Sequence, residues 1–242
     1  LAGAIDLRWA RRDRSTRRVA TSQVIAERYR QHGLRCDDVV TPGVAAGLLD
    51  GPPPRSPSGG LRRLLYVGRL EPNKRVEWLL RVLRELPDAS LRLIGDGPSR
   101  PAIERLADDF ALAHRVAVLG PLPRQSVVAE MREADVFVFP SAYESFGATA
   151  LEALAVGLPV VATDLPALRE ATGAQAALVP PEDLSAWVST IRRLLDDGPY
   201  RRTVAEAGRA WAAQFTWDRI VDRFERHVLE ASRAPCDASR AV

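Results

Sequence analysis

The stretch Val136-Phe137-Val138-Phe139-Pro140-Ser141-Ala142-Tyr143-Glu144-Ser145-Phe146-Gly147-Ala148-Thr149-Ala150-Leu151-Glu152-Ala153-Leu154-Ala155-Val156-Gly157-Leu158-Pro159-Val160-Val161-Ala162-Thr163 decides the fold. It opens with four apolar residues and no polar alternation, the pattern of a strand covered on both faces of a parallel sheet. Pro140 stops that run. Helix propensity rises from Ala148, and Gly157-Leu158-Pro159 separates the helix from a second apolar run, Val160 to Ala162. Strand, helix and strand in this order make a βαβ unit.

The same rhythm extends in both directions. Apolar runs stand at Leu64–Val67, Leu91–Ile94, Val116–Leu119 and Ala176–Val179, several of them followed at once by Gly or Pro. Helical patterns fill the gaps at Val76–Leu86, Pro101–Phe110, Ser126–Glu133 and Thr149–Val156. The spacing predicts an α/β fold with a doubly wound, Rossmann-like parallel sheet, in which ligands bind beyond the carboxyl ends of the strands. Three helical segments follow, Pro181–Leu195, Tyr200–Phe215 and Asp218–Ser232, and their aromatics Trp187, Trp211, Phe215, Trp217 and Phe224 read as core. The tail 234–242 reads as frayed.

Upstream the pattern is thinner. An Arg-rich start (Arg8, Arg11, Arg12, Arg14) leads through Arg17 and Arg18 to Val19-Ala20-Thr21-Ser22. It reads as a solvated face, or as a contact with an anionic membrane or a partner. An amphipathic helix over Gln23–His32, closed by Gly33, and a short strand near Asp38–Val40 make one βα unit and a strand, too little to bury a core alone. Residues 1–50 are therefore expected to be the remnant of a domain whose other parts lie outside this chain. Residues 51–60, Gly-Pro-Pro-Pro-Arg-Ser-Pro-Ser-Gly-Gly, read as a linker before the main domain at 61–215.

Composition narrows the function. Of 242 residues, 46% are hydrophobic and 27% charged, a globular balance. The formal charge of +3, from 34 basic and 31 acidic residues, does not point to nucleic acid. Cys36 and Cys236 cannot build a disulfide framework or a Cys-rich zinc site. No apolar run has the roughly 18 residues of a membrane span, and Leu1-Ala2-Gly3-Ala4 opens no secretory signal. Lys74 is the only lysine among the basic residues, so it marks a place where Arg would not serve unless it survives by chance.

The loops after the strands carry the chemistry. Gly68-Arg69-Leu70-Glu71-Pro72-Asn73-Lys74-Arg75 sets two cations, Arg69 and Lys74, before a helix, an arrangement suited to a diphosphate or to a merely solvated basic loop. Gly95-Asp96-Gly97-Pro98 reads as a tight turn, and Gly120-Pro121-Leu122-Pro123 as a rigid turn whose backbone could pair with a base edge. Glu144 lies beyond its strand. The amides of Phe146, Gly147, Ala148 and Thr149 are donors at a helix start, where a phosphate is favoured. Glu152, eight residues after Glu144, could accept two ribose hydroxyls, or both glutamates could simply favour the helix start. Asp37-Asp38, Asp108-Asp109 and Asp196-Asp197 are adjacent surface pairs rather than an Asp-x-Asp metal motif. His32, His114 and His227 read as surface or core residues.

In order, Val67-Gly68-Arg69-Leu70…Lys74, Ile94-Gly95-Asp96-Gly97-Pro98, Gly120, Ala134-Asp135-Val136…Pro140-Ser141, Glu144-Ser145-Phe146-Gly147…Glu152-Ala153 and Gly157-Leu158-Pro159-Val160-Val161-Ala162-Thr163 resemble the retaining glycosyltransferases of the family 4 type, with the GT-B fold. The resemblance covers about 61–224, and more loosely 19–44. It implies that this chain is mainly the C-terminal, donor-binding half, with residues 216–233 crossing back toward an N-terminal acceptor domain. It implies that Arg69 and Lys74 hold the diphosphate and that Glu144 contacts the donor sugar. Gly68, Gly95 and Gly97 are implied donor-binding residues of the loops, Leu122 and its neighbours read the base, Ser145, Phe146, Gly147, Ala148 and Thr149 form the helix start beside the phosphates and sugar, and Glu152 holds the ribose. The implied donor is a UDP- or GDP-sugar, with no metal or other cofactor; the acceptor is a sugar, lipid or small molecule. The implied location is cytoplasmic, with peripheral contact at the inner face of a membrane left open. The family's Gly-rich N-terminal loop and donor-side histidine have no counterpart here, so a fragment or one half of a split enzyme is expected. A nucleotide-sugar epimerase of GT-B fold and a non-catalytic binding half stay as alternatives.

Overall fold

The computed structural model describes residues 17–51 and 61–233. The Arg-rich start, the linker beyond Gly51 and the tail 234–242 lie outside the described residues. Among them are six parallel strands in one sheet: β3 (Arg62–Val67), β4 (Ala89–Ile94), β5 (Val116–Gly120), β6 (Val136–Phe139), β7 (Val160–Thr163) and β8 (Ala177–Val179). Their order is β5-β4-β3-β6-β7-β8. The chain thus winds outward from β3 in one direction, returns, and winds outward from β6 in the other. The reversal falls between β3 and β6, which pair through Leu64 with Val136 and Leu65 with Phe137. In a doubly wound sheet this switch point opens a crevice at the strands' carboxyl ends.

The unbroken apolar runs are buried as their lack of alternation predicts. Leu64, Leu65, Tyr66, Val136, Phe137, Val138, Val160, Val161 and Ala162 are all within 1% of fully buried. Tyr66 and Phe139 stack across the switch point with ring centroids 6.0 Å apart. The covering helices are α2 (Val76–Arg84), α3 (Arg100–Asp109), α4 (Arg124–Glu133), α5 (Ala148–Ala155), α6 (Pro166–Thr172), α7 (Leu184–Asp196) and α8 (Gly198–Ala212). Val76, Leu79, Leu80 and Leu83 give α2 its buried stripe at three- and four-residue spacing. Arg115 closes its far end, with Nη1 donating to the carbonyls of Leu86 (2.7 Å) and Ala89 (3.0 Å). Asp183 and Asp197 cap α7 and α8 by accepting the amides of Ala186 (3.0 Å) and Tyr200 (2.9 Å).

The Ala134-Asp135 pair has a structural role. Asp135 accepts the Arg63 amide at 2.7 Å and faces Arg201 at 3.5 Å, tying β3 and α8 together. Burial pushes the Arg201 guanidinium below the usual arginine range, and the Asp135 carboxylate opposes that shift.

The upstream segment forms the expected βα unit. Strands β1 (Val19–Ala20) and β2 (Asp38–Val39) pair in parallel around helix α1 (Gln23–Gln31). Gly33 ends that helix, with the Leu34 amide bonded to the Tyr29 carbonyl at 2.8 Å. Val44 then meets the far end of the chain: its amide donates to Phe215 O at 2.7 Å and its carbonyl accepts from Trp217 N at 3.1 Å.

Two expectations need correction. Helix α6 was not legible in sequence; it has only seven residues between Leu165-Pro166 and Gly173. Trp217 and Phe224 are not core: they are 49% and 41% exposed on α9 (Trp217–Arg233), since a helical apolar pattern shows a face without showing what covers it. Trp187 is fully buried, and Trp211 and Phe215 pack with centroids 5.5 Å apart, as expected. Among the described residues no helix is long and apolar enough to cross a membrane.

Candidate functional site

The loops after β3 and β6 meet at the switch point. The Ala142 amide donates to the Asn73 carbonyl at 2.8 Å, so the two loops are joined backbone to backbone. Beside this bond Lys74 Nζ lies 2.6 Å from Glu144 Oε1. Both side chains are largely sheltered, at 18% and 9% exposure. The Lys74 ammonium also sits 5.9 Å from the centroid of the Phe139 ring. Lys74 reaches this place because Pro72–Lys74 form one 3₁₀ turn and Arg75 takes a left-handed conformation before α2 begins.

Gly147 starts α5 at φ 98°, ψ 45°, with no side-chain cap. This left-handed backbone favours glycine, and a Cβ there would also press on Leu168 Cδ2 at 2.4 Å. The first amides turned back into the helix are those of Ala150 and Leu151, both onto Gly147 O. Phe146, Gly147, Ala148 and Thr149 therefore present amides without an acceptor among the described residues, directly after Glu144. The helix dipole favours an anion at these amides, while the Lys74 charge is paired with Glu144.

The glycine turns let backbones touch. A Cβ on Gly95 would fall 1.9 Å from Gly68 O, and one on Gly97 would fall 2.4 Å from Leu70 O. The Leu70 amide donates to Asp96 O at 2.9 Å, holding the loop after β3 against the loop after β4. Tyr66 fixes the same loop from below, its hydroxyl donating to Arg69 O at 2.9 Å. Burial above all, then the nearby Glu144, Glu71 and Glu77 carboxylates, push the Tyr66 phenol above its usual range.

Glu152 and Leu122 come together in a cavity of about 250 Å³, lined also by Leu48, Val67, Arg124 and Met131. Glu152 Oε1 forms an ion pair with Arg124 Nη2 at 3.0 Å. Apolar walls with one acid and one base suit a flat ring attached to a polyol.

Of the residues singled out in sequence, Lys74, Glu144 and the Ser145–Thr149 turn are thus brought together. Leu122 and Glu152 share the adjoining cavity. Arg69 is not joined to the helix start: its side chain is 76% exposed and pairs with Glu71 at 2.5 Å. Asp37 and Asp38 are half-buried rather than on the surface, Asp37 pairing with Arg35 at 2.6 Å. The other two acid pairs, with His32 and His114, are exposed. Sequence reading missed Tyr66, whose hydroxyl was hidden in an apolar run, and Arg124, Leu48 and Ser22, which carry no local signal.

A doubly wound parallel sheet with a crevice at its switch point defines a Rossmann-like class of α/β protein. Residues 62–197 match the family model "Glycosyl transferases group 1", and the chain belongs to that family. It is similar to the D-inositol 3-phosphate glycosyltransferase of Mycolicibacterium smegmatis, 39% identical over 165 residues, 65% of this chain and 37% of that protein. The enzyme of that name from Corynebacterium aurimucosum is 34% identical over 192 residues, 73% and 46% of the two chains. Sucrose-phosphate synthase from Thermosynechococcus elongatus has a similar structure, with a TM-score of 0.77 at 28% identity over 88% of this chain and 58% of that one. Anabaena HepE in complex with UDP and glucose, at 22% identity, shares the fold with a TM-score of 0.76 over 89% and 62% of the chains. These are GT-B glycosyltransferase structures. The chain spans less than half the length of the curated relatives it matches.

Proposed function

We propose that this chain carries the donor site of a retaining glycosyltransferase that takes its sugar from a nucleoside diphosphate. The observation that carries the reading is the 2.6 Å contact of Lys74 with Glu144 beside the uncapped start of α5. On this reading the diphosphate lies against the amides of 146–149, with Lys74 and Arg69 supplying positive charge, Arg69 swinging away from Glu71. Glu144 accepts from sugar hydroxyls through the carboxylate oxygen that Lys74 does not engage. Leu122 and its backbone neighbours border the base, and Glu152 takes the ribose hydroxyls in exchange for Arg124.

As the anomeric bond to the diphosphate breaks, negative charge grows on the leaving oxygens while the sugar becomes cationic. Lys74 and the helix start stabilise that charge most where it is largest, which lowers the barrier. This is the task a divalent cation performs in other transferases, so the reading needs no metal. UDP is the first nucleotide to try, because HepE and the pneumococcal O-GlcNAc transferase GtfA are described in complex with it. D-inositol 3-phosphate, named for the relatives, is the first acceptor to try.

The acceptor half belongs to sequence outside this chain on this reading. Trp217, Val221 and Phe224, exposed at i, i+4 and i+7 on α9, support a helix that returns to cover that half. The whole enzyme would work at the cytoplasmic side, where the Arg-rich start could meet an anionic membrane.

The test is calorimetric titration of the chain with UDP, then with Lys74→Ala. Binding by the former and loss in the latter supports the reading; equal binding overturns the phosphate role of Lys74. Joined to its missing half, the enzyme should release product with the donor's anomeric configuration only when acceptor is present. Product without acceptor would favour the epimerase.

A further inference from the structure

We propose that the Ser22 hydroxyl is a positioning residue for the turn that opens α5, aiming the Phe146 amide into the site. This rests on the donor-site reading above.

Ser22 is fully buried, although it belongs to the upstream βα unit. Its hydroxyl does two things. As N-cap of α1 it accepts the Ile25 amide at 3.2 Å, and it donates its single proton to the Ser145 carbonyl at 2.5 Å, 123 residues away. A cap needs only the acceptor half. The donor half is spent on a peptide that belongs to the site.

That peptide is the one between Ser145 and Phe146. In a trans peptide the C=O and the following N–H point to opposite sides of one plane. Holding Ser145 O against Ser22 therefore turns Phe146 N–H the other way. The neighbouring constraints leave the plane little freedom. Phe146 is buried, with its ring centroid 6.3 Å from that of Phe215, and Gly147 sits in the left-handed region.

Two further contacts dock α1 in the same place. The Gln23 amide donates to the Glu170 carboxylate of α6 at 2.9 Å. Arg28 Nη1 donates to Tyr143 Oη at 2.9 Å, and its guanidinium lies 4.8 Å from that ring's centroid. Residues 143 and 145, on either side of Glu144, are thus both held from α1.

The two functions of the hydroxyl separate by substitution. Ser22→Ala loses both. Ser22→Gly is tolerated as an N-cap but has no proton for Ser145. Ser22→Thr keeps both. The chain is titrated with UDP, pyrophosphate and uridine, and its melting temperature is recorded. The Ser145 carbonyl ¹³C shift is read without ligand. Ser22→Ala should weaken UDP and pyrophosphate by about three- to tenfold and leave uridine unchanged. Ser22→Gly should regain melting temperature without regaining affinity, and Ser22→Thr should regain both. The Ser145 carbonyl resonance should move upfield in the Ala and Gly variants and return in the Thr variant.

Wild-type affinity for UDP and pyrophosphate in Ser22→Gly, or an unmoved Ser145 resonance in Ser22→Ala, would overturn the proposal. Should Ser22→Ala not fold, Gly against Thr carries the comparison. If the wild-type chain bound neither UDP nor pyrophosphate, the donor-site reading would fail, and the carbonyl shift would still decide whether Ser22 orients the turn.

Discussion

The ammonium of Lys74 and the carboxylate of Glu144, 70 residues apart in the chain, are 2.6 Å apart in the fold. Each neutralises the other in a sheltered place, and each faces the crevice where β3 and β6 part. Removing one charge strands the other.

Lys74→Ala should lower unfolding stability by about 1–3 kcal/mol, since a mostly buried carboxylate loses its partner. Lys74→Met with Glu144→Gln should recover most of that loss yet bind no diphosphate. Urea unfolding reads the first quantity and titration with UDP the second. A double variant that still bound UDP would remove the pair from the site.

Glu152→Ala should weaken UDP by about tenfold, the equivalent of one lost charged hydrogen bond, and leave pyrophosphate unchanged. The contrast follows from the proposed ribose role of Glu152, whose cavity is shared with Leu122 and not with the residues proposed to hold the phosphates. Parallel titrations check it; equal losses on both ligands would contradict the ribose assignment.

Gly95→Ala should cost about 2–4 kcal/mol, because the new Cβ would meet Gly68 O at 1.9 Å in a backbone at φ 130°. Gly47→Ala, with nothing within 4 Å of the new Cβ, is the control and should stay within about 0.5 kcal/mol of wild type. Chemical denaturation of both variants gives the comparison.

Tyr66 supplies a pH dependence with a definite sign. Burial raises its folded pKa above the usual tyrosine value of about 10, so the folded chain holds its proton where the unfolded chain releases it. Its contribution is complete below about pH 10 and declines as the pH rises from there. Wild-type stability should therefore fall faster than that of Tyr66→Phe above that pH. Ultraviolet titration of tyrosinate should show one phenol fewer ionising in the wild type than after unfolding.

The sheet was legible because strands covered on both faces cannot hide: Val136–Phe139 and Val160–Thr163 have no polar residue to spare until the strand ends. The helix-start turn was legible because Gly147 and the small residues after it form a helix start in sequence as well as in space. The meeting of Lys74 with Glu144 follows only from strand order, which puts β3 beside β6. Arg124 beside Glu152, Leu48 in the same cavity and Ser22 under Ser145 are long-range juxtapositions with no periodic trace. Arg69 was read as a partner of Lys74 from their shared loop, but Glu71, two residues away, captures its side chain.

Val44 is clasped by Phe215 on one side and Trp217 on the other, so the polypeptide passes twice, side by side, through the same waist. Together with Ser22 on Ser145 and Arg28 on Tyr143, this crossing anchors the upstream unit to the sheet at widely separated places along the chain, so severing one tie would leave the others in place.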